Sequence, residues 1–227
     1  MTPDDDPRFL QLAADEMRRK CAADVLEYAR FVRTRDESDS VNPIKRFPVE
    51  KDYVRQLLTD FSREPKIVIA KSRQVMATWS VCVFMTWWAR FKPHQLVVLQ
   101  TQGQDDADKA VSLASAKSGG YTGRCQLIEQ CLPSWLRQDG ITSQQGRIVY
   151  PNGSLIEGLP GGRDKIRGKT ASIIVLDELA FLEDAKATYT SIAPLLQKGC
   201  RFLGISTPNG STGNLFYHLF HGVPIVA

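Results

Sequence analysis

The chain has 227 residues, 43% hydrophobic and 24% charged, the composition of a globular protein with one sizeable domain. A net charge of +4 is mildly basic, compatible with a polyanionic partner without being diagnostic of one. No apolar run reaches membrane-spanning length, since Arg90 and Lys92 close the longest one.

The start, MTPDDDPRFL, is acidic and broken by proline, so it is not a signal peptide. Five cysteines without a CxxC pair read as reduced thiols of a cytosolic protein. Phe9, Leu12, Ala13, Met17, Val25, Leu26 and Phe31 recur at helical spacing and predict a helix over 8–33. The polar run RTRDESDSVNP then reads as an exposed loop, and a second helix is predicted over Glu50–Phe61. From Lys66 the texture changes to β-branched runs alternating with helical or polar segments, the pattern of parallel strands joined by crossovers. Strands are predicted at Lys66–Ala70, Gln95–Gln100, Arg147–Tyr150, Ser154–Gly158, Ser172–Leu176 and Cys200–Ile205. Helices are predicted at Thr78–Arg90, Asp105–Ala116, Gln126–Cys131 and Thr188–Leu196. Asn152-Gly153 between two apolar runs is a hairpin signal. The glycine-rich segment 117–146 is the least readable part of the chain.

Three stretches carry candidate chemistry. KIVIAKSRQVMATW has the layout of a phosphate-binding strand, loop and helix, but GxxxxGK[ST] would need Gly at 71 and 76 and Lys at 77. The chain has Lys71, Met76 and Ala77 there, and only Thr78 fits. In TASIIVLDELAFL, four apolar residues run straight into Asp177-Glu178, as a strand buried on both faces would. Acids at that end of a strand stand where open α/β sheets place ligands. One can hold Mg²⁺ and its neighbour can polarise an attacking water. Finally GISTPNGSTGNLF puts Ser206 and Thr207 at the end of another strand, where hydroxyls can meet a phosphate or its attacking water. Each stretch alone has a plain reading as solvated acids or turn chemistry. A strand–loop–helix ending in Thr, followed about a hundred residues later by a buried strand ending Asp-Glu, is together the layout of P-loop ATPases with an added catalytic glutamate.

KSRQVMATW, KIRGKTASIIVLDELAFL and GISTPNGSTGNLF, in this order, resemble the ATPase domain of bacteriophage large terminase subunits over roughly residues 45 to 220. The resemblance implies an ASCE-type P-loop NTPase of the α/β class. Its mainly parallel central sheet, flanked by helices, would span 45–227, with an N-terminal helical extension over 1–44. It implies an ATP hydrolase in which Arg73 contacts the phosphates as a cis arginine finger. Lys71 would replace the missing loop lysine, alongside Ser72 and Gln74. Thr78 and Asp177 would coordinate Mg²⁺, Glu178 would be the catalytic carboxylate, and Ser206 and Thr207 would couple the phosphate state to motion. In FPVEKDYVRQLL, Tyr53 becomes the candidate to stack on adenine, although Val54 stands where the family often has Gln. Arg163 and Arg167 become candidates for contacts with DNA or with a neighbouring subunit's ATP.

The partners implied are double-stranded DNA, a portal protein, the small terminase subunit and other copies of the chain in a motor ring, in the cytoplasm of an infected bacterial host and without a membrane. Large terminases resemble two-domain enzymes with a nuclease after the ATPase. This chain ends at Ala227, so the nuclease is expected to be absent from it. The alternatives are a helicase-like ATPase stimulated by nucleic acid, and a non-catalytic assembly module whose site has degenerated at Met76 and Ala77. His218 and His221 at helical spacing read as packing or surface residues. Met85 to Trp88 read as helix packing. Arg124, Arg137, Arg147, Lys165 and Lys169 read for the most part as a solvated surface, with contact to DNA phosphates or a neighbouring subunit's ATP as the alternative for some of them.

Overall fold

A computed structural model of the protein describes residues 7–72, 76–113, 122–162, 165–166 and 168–222. With elements numbered in chain order, the chain opens with α1 (Pro7–Ala23), α2 (Val25–Ala29), the short strands β1 (Arg33–Arg35) and β2 (Ile44–Arg46), and α3 (Asp52–Arg63). The predicted first helix is thus two. Asp24 adopts extended backbone and its carboxylate accepts from Leu26 N at 2.8 Å, so it caps a new helix where the periodicity ran on. The predicted loop keeps its polar centre, but its first three residues pair antiparallel with Ile44–Arg46 just beyond it, Thr34 opposite Lys45.

The sheet elements follow as β3 (Lys66–Ala70), α4 (Ala77–Phe91), β4 (Leu96–Gln100), α5 (Gln104–Ala110) and α6 (Arg124–Cys131). Then come β5 (Thr142–Gln144), β6 (Arg147–Val149), β7 (Leu155–Leu159), β8 (Ile173–Asp177), α7 (Ala185–Gln197), β9 (Arg201–Ser206) and α8 (Leu215–His221). All six predicted strands are present within a residue or so of their expected limits. Helix α5 stops earlier than predicted, because the carbonyls that would continue it are taken by other parts of the chain. Val111 O accepts from Gln126 N at 3.0 Å and Ser112 O from Gly146 N at 2.8 Å. The predicted end at Ala116 lies outside the described residues.

The seven-stranded sheet has the order β3-β9-β8-β4-β7-β6-β5. The first five strands are parallel, and β6 and β5 extend the sheet antiparallel through the expected hairpin, whose Gly153 has φ +82°. One strand, β9, stands between the phosphate-loop strand β3 and the acid strand β8, the strand order of ASCE-type P-loop folds. Alternate residues feed the two faces. Val97, Leu99, Ile173, Val175, Leu203 and Ile205 join the core built on α4 and the N-terminal helices. Val98, Ile174, Leu176 and Phe202 join the core under α7 and α8. The N-terminal elements cover α4: Trp87 Nε1 donates to Cys21 O at 2.7 Å, and Phe61 packs on Phe84. That cover is why α4 is apolar nearly all round, and why Met85 and Trp87 are buried packing residues.

Candidate nucleotide-binding site

The parallel register brings the three motifs to one edge. Ala70 at the end of β3 pairs with Ser206, and Asp177 at the end of β8 pairs with Ile205, so the segments after β3, β8 and β9 emerge side by side. This is the carboxyl edge, where open α/β sheets bind ligands.

Lys71 is the first residue beyond β3. Its backbone N donates to Ser206 O at 2.9 Å, and its ammonium reaches the acid pair. Lys71 Nζ donates to Glu178 Oε1 at 2.6 Å and lies 3.8 Å from Asp177 Oδ1. Its side chain is 11% exposed, so the ammonium sits in a protected position between two acids. Thr78, in the first turn of α4, donates its hydroxyl to Asp177 Oδ2 at 3.1 Å. Burial raises the Asp177 carboxyl above its ordinary value, the Lys71 charge opposes that rise, and the Glu178 charge adds to it.

Glu178 adopts the left-handed conformation, φ +53° and ψ 44°. Such backbone in a residue with a β-carbon costs about 1–3 kcal/mol and persists only where the surroundings over-determine it. They do so here. Glu178 N donates to Asp177 Oδ1 at 3.0 Å, and Phe181 N bonds back to Glu178 O at 2.8 Å in the 3₁₀ turn Leu179–Phe181. Thr207 N donates to Glu178 Oε2 at 3.3 Å, which ties the third motif directly to this carboxylate. The Ser206 hydroxyl has a different place from the one expected. It is fully buried, accepts from Ala180 N at 3.0 Å and donates to Thr207 O at 2.9 Å, so it links backbone segments instead of facing a phosphate.

Two further findings alter the reading of the loop. Met76 has φ −65° and packs against the core, so the position does not call for a glycine's left-handed freedom. Ala77 is 1% exposed and belongs to the core. Ser72 is exposed beside Lys71, while Arg73, Gln74, Arg163 and Arg167 lie outside the described residues. Tyr53 stands exposed on the first turn of α3 and does not line the cleft at Thr78.

That cleft, of about 240 Å³, is bounded on one side by Thr78, Asp177 and Glu178. Thr101 and Gln102, just past β4, and Asp106, Lys109 and Arg124 close the other side. Sequence reasoning placed none of these five in this cleft. Thr101 and Gln102 follow a β-branched strand and carried a positional signal; Arg124 carried none.

The described residues hold no group of three or more His, Cys, Asp or Glu able to cage a metal. Mg²⁺ typically binds through one or two protein oxygens, with phosphates and waters completing its shell. The Thr78 hydroxyl and Asp177 carboxylate fit that chemistry. The fold is that of a P-loop type protein, with Lys71, Thr78, Asp177 and Glu178 gathered at the carboxyl edge of its parallel strands.

No family model matches the chain. Among solved structures it is similar to the large terminase ATPase domain of Thermus phage P74-26, at 20% identity and TM-score 0.56, over 75% of this chain and 73% of that one. It is also similar to the large terminase of bacteriophage HK97, at 12% identity and TM-score 0.61, over 91% of this chain and 43% of that one. The chain thus has the fold of phage large-terminase ATPase domains and spans less than half of the HK97 protein.

Proposed function

We propose that the chain is the ATPase domain of a phage large terminase, hydrolysing ATP to drive double-stranded DNA into a procapsid. The observation that supports this most is the convergence of Lys71, Thr78, Asp177, Glu178 and the Thr207 amide, drawn from three separate motifs. Thr78 and Asp177 would hold Mg²⁺, which when bound offsets the charge of the phosphate oxygens. Glu178 accepts a proton from the water that attacks the terminal phosphorus; the bond to the bridging oxygen breaks, leaving ADP and phosphate. The phosphate oxygens of a bound triphosphate would compete for the Lys71 ammonium, now paired with Glu178, and free Glu178 to act as base. Thr207, bonded to the same carboxylate, is then positioned to report the state of the site to the α8 side of the fold.

Arg73 as a cis arginine finger, Ser72 and Gln74 in the phosphate loop, and Tyr53 on adenine belong to this reading. So do Arg163 and Arg167 as contacts to DNA or to a neighbouring ATP. The same reading divides the chain into an extension over 1–44 and a core over 45–227. Its partners are DNA, a portal protein, the small subunit and further copies of the chain, in the host cytoplasm; no helix among the described residues is long and apolar enough to cross a membrane.

The test is ATP turnover with nucleotide-induced thermal shift. Glu178→Gln is expected to keep ATP binding and lower turnover about a hundredfold. Lys71→Ala is expected to remove the thermal shift, since it takes away the cation at the acid pair. Hydrolysis at the parent rate by Glu178→Gln would overturn the catalytic assignment.

A further inference from the structure

The far wall of the cleft carries a cation that none of the three motifs contains. Arg124 opens α6, and its guanidinium lies 5.7 Å from the ring centroid of Trp79, the residue next to Thr78 in the first turn of α4. Arg124 is half-buried and lines the same cleft as Thr78, Asp177 and Glu178. Among the described residues no carboxylate forms a salt bridge with it, whereas Lys71, the cation on the other side, is paired with Glu178 at 2.6 Å.

The backbone that presents Arg124 is fixed. Gly123 is in such close approach to the end of α5 that a β-carbon there would lie 2.5 Å from Ser112 N. Gln126 N bonds Val111 O at 3.0 Å, and the Gln126 side chain accepts from both Gly123 N and Leu113 N at 3.3 Å. A guanidinium resting on an indole face, on a clamped helix start, is pre-organised. Its forked donors suit phosphate oxygens.

We propose that Arg124, resting on Trp79, is a phosphate-binding residue of this site and contacts the terminal phosphate of ATP from the α6 side. It would supply the second cation that Ala77 does not. The assignment rests on the ATPase reading above. An anion seated by Thr78 and Asp177 would enter a cleft whose lining cations are Arg124 and Lys109, with Lys71 held at the acid pair behind it. A diphosphate lacks the group that Arg124 addresses, so its loss discriminates between the two nucleotides.

The experiment compares the affinity of the parent, Arg124→Ala and Arg124→Lys for a non-hydrolysable ATP analogue and for ADP, by calorimetry in Mg²⁺, alongside ATP hydrolysis. Arg124→Ala is expected to lose about tenfold or more in analogue affinity, with ADP affinity nearly unchanged and hydrolysis reduced; Arg124→Lys should recover part of the loss. Arg124→Gln, which keeps the stem over Trp79, replaces the alanine variant if that variant does not fold. If the parent hydrolyses ATP and the variants bind the analogue as it does, or if analogue and ADP affinity fall together, the assignment is overturned while the ATPase reading stands. A parent that neither binds nor hydrolyses ATP overturns both.

Discussion

At the residue scale, the two departures from the usual phosphate loop have different physical standing. Met76 has a negative φ, −65°, and contributes side-chain packing at the start of α4. Ala77 sits in the core at the position where the pattern has a lysine. Restoring that lysine forces a long charged side chain into packed space. Ala77→Lys is therefore expected to destabilise the fold by about 1–3 kcal/mol, read as a lower urea midpoint. A midpoint equal to the parent's would show that the loop has room for the usual residue. Within the site, left-handed backbone is found instead at Glu178, whose carboxylate meets both Lys71 and the third motif.

Between elements, the fold depends on a buried charged link beneath the α4 face. Arg90 of α4 forms an ion pair with Glu129 of α6 and donates to Leu136 O at 2.8 Å; Tyr150, just past β6, donates its hydroxyl to Glu129 at 2.7 Å. Burial pushes the Glu129 carboxyl up, and the Arg90 charge and the Tyr150 hydrogen bond draw it back. Side-chain exposures of 4% and 6% leave neither charge able to turn to water if its partner is lost. Glu129→Ala is thus expected to cost about 3–5 kcal/mol, since it strands a buried guanidinium. Chemical denaturation checks this, and a loss under about 1 kcal/mol would mean that water reaches Arg90. The same link holds α6 against α4, so it also sets where Arg124 stands.

For the whole molecule, stability concentrates in the middle of the sheet. β8 is buried along its entire length and lies between β9 and β4, with α4 over one face and α7 over the other. Ile174 is fully buried, and Ile174→Ala is expected to cost about 2–5 kcal/mol in global unfolding. Amide exchange should then accelerate across β9, β8 and β4 together, because these strands open only when the sheet does. Faster exchange confined to β8 would contradict a single cooperative core. Asp177 thus ends, and Glu178 directly follows, a strand buried along its whole length.

Much of this was legible in the sequence because it depends on local pattern. Continuous apolar runs marked the buried parallel strands, Asn152-Gly153 marked the hairpin, and the acid pair at the carboxyl end of β8 marked the ligand edge. Other features were decided only by tertiary structure, because partners distant in the chain made them. The early end of α5 follows from hydrogen bonds to Gln126 and Gly146. The strand β1 formed in a stretch whose polarity read as loop, because Ile44–Arg46 beyond that stretch pairs with it. The Ser206 hydroxyl was drawn inward by Ala180 N. The composition of the cleft wall was equally out of reach: nothing near Arg124 in the sequence refers to Trp79 or Asp177, and the clamped approach of α6 to α5 puts Arg124 over the first and at one cavity with the second. The sequence by itself determined which residues carry charge and where strands end. The tertiary structure decided which charges face one another, because that depends on how the elements pack.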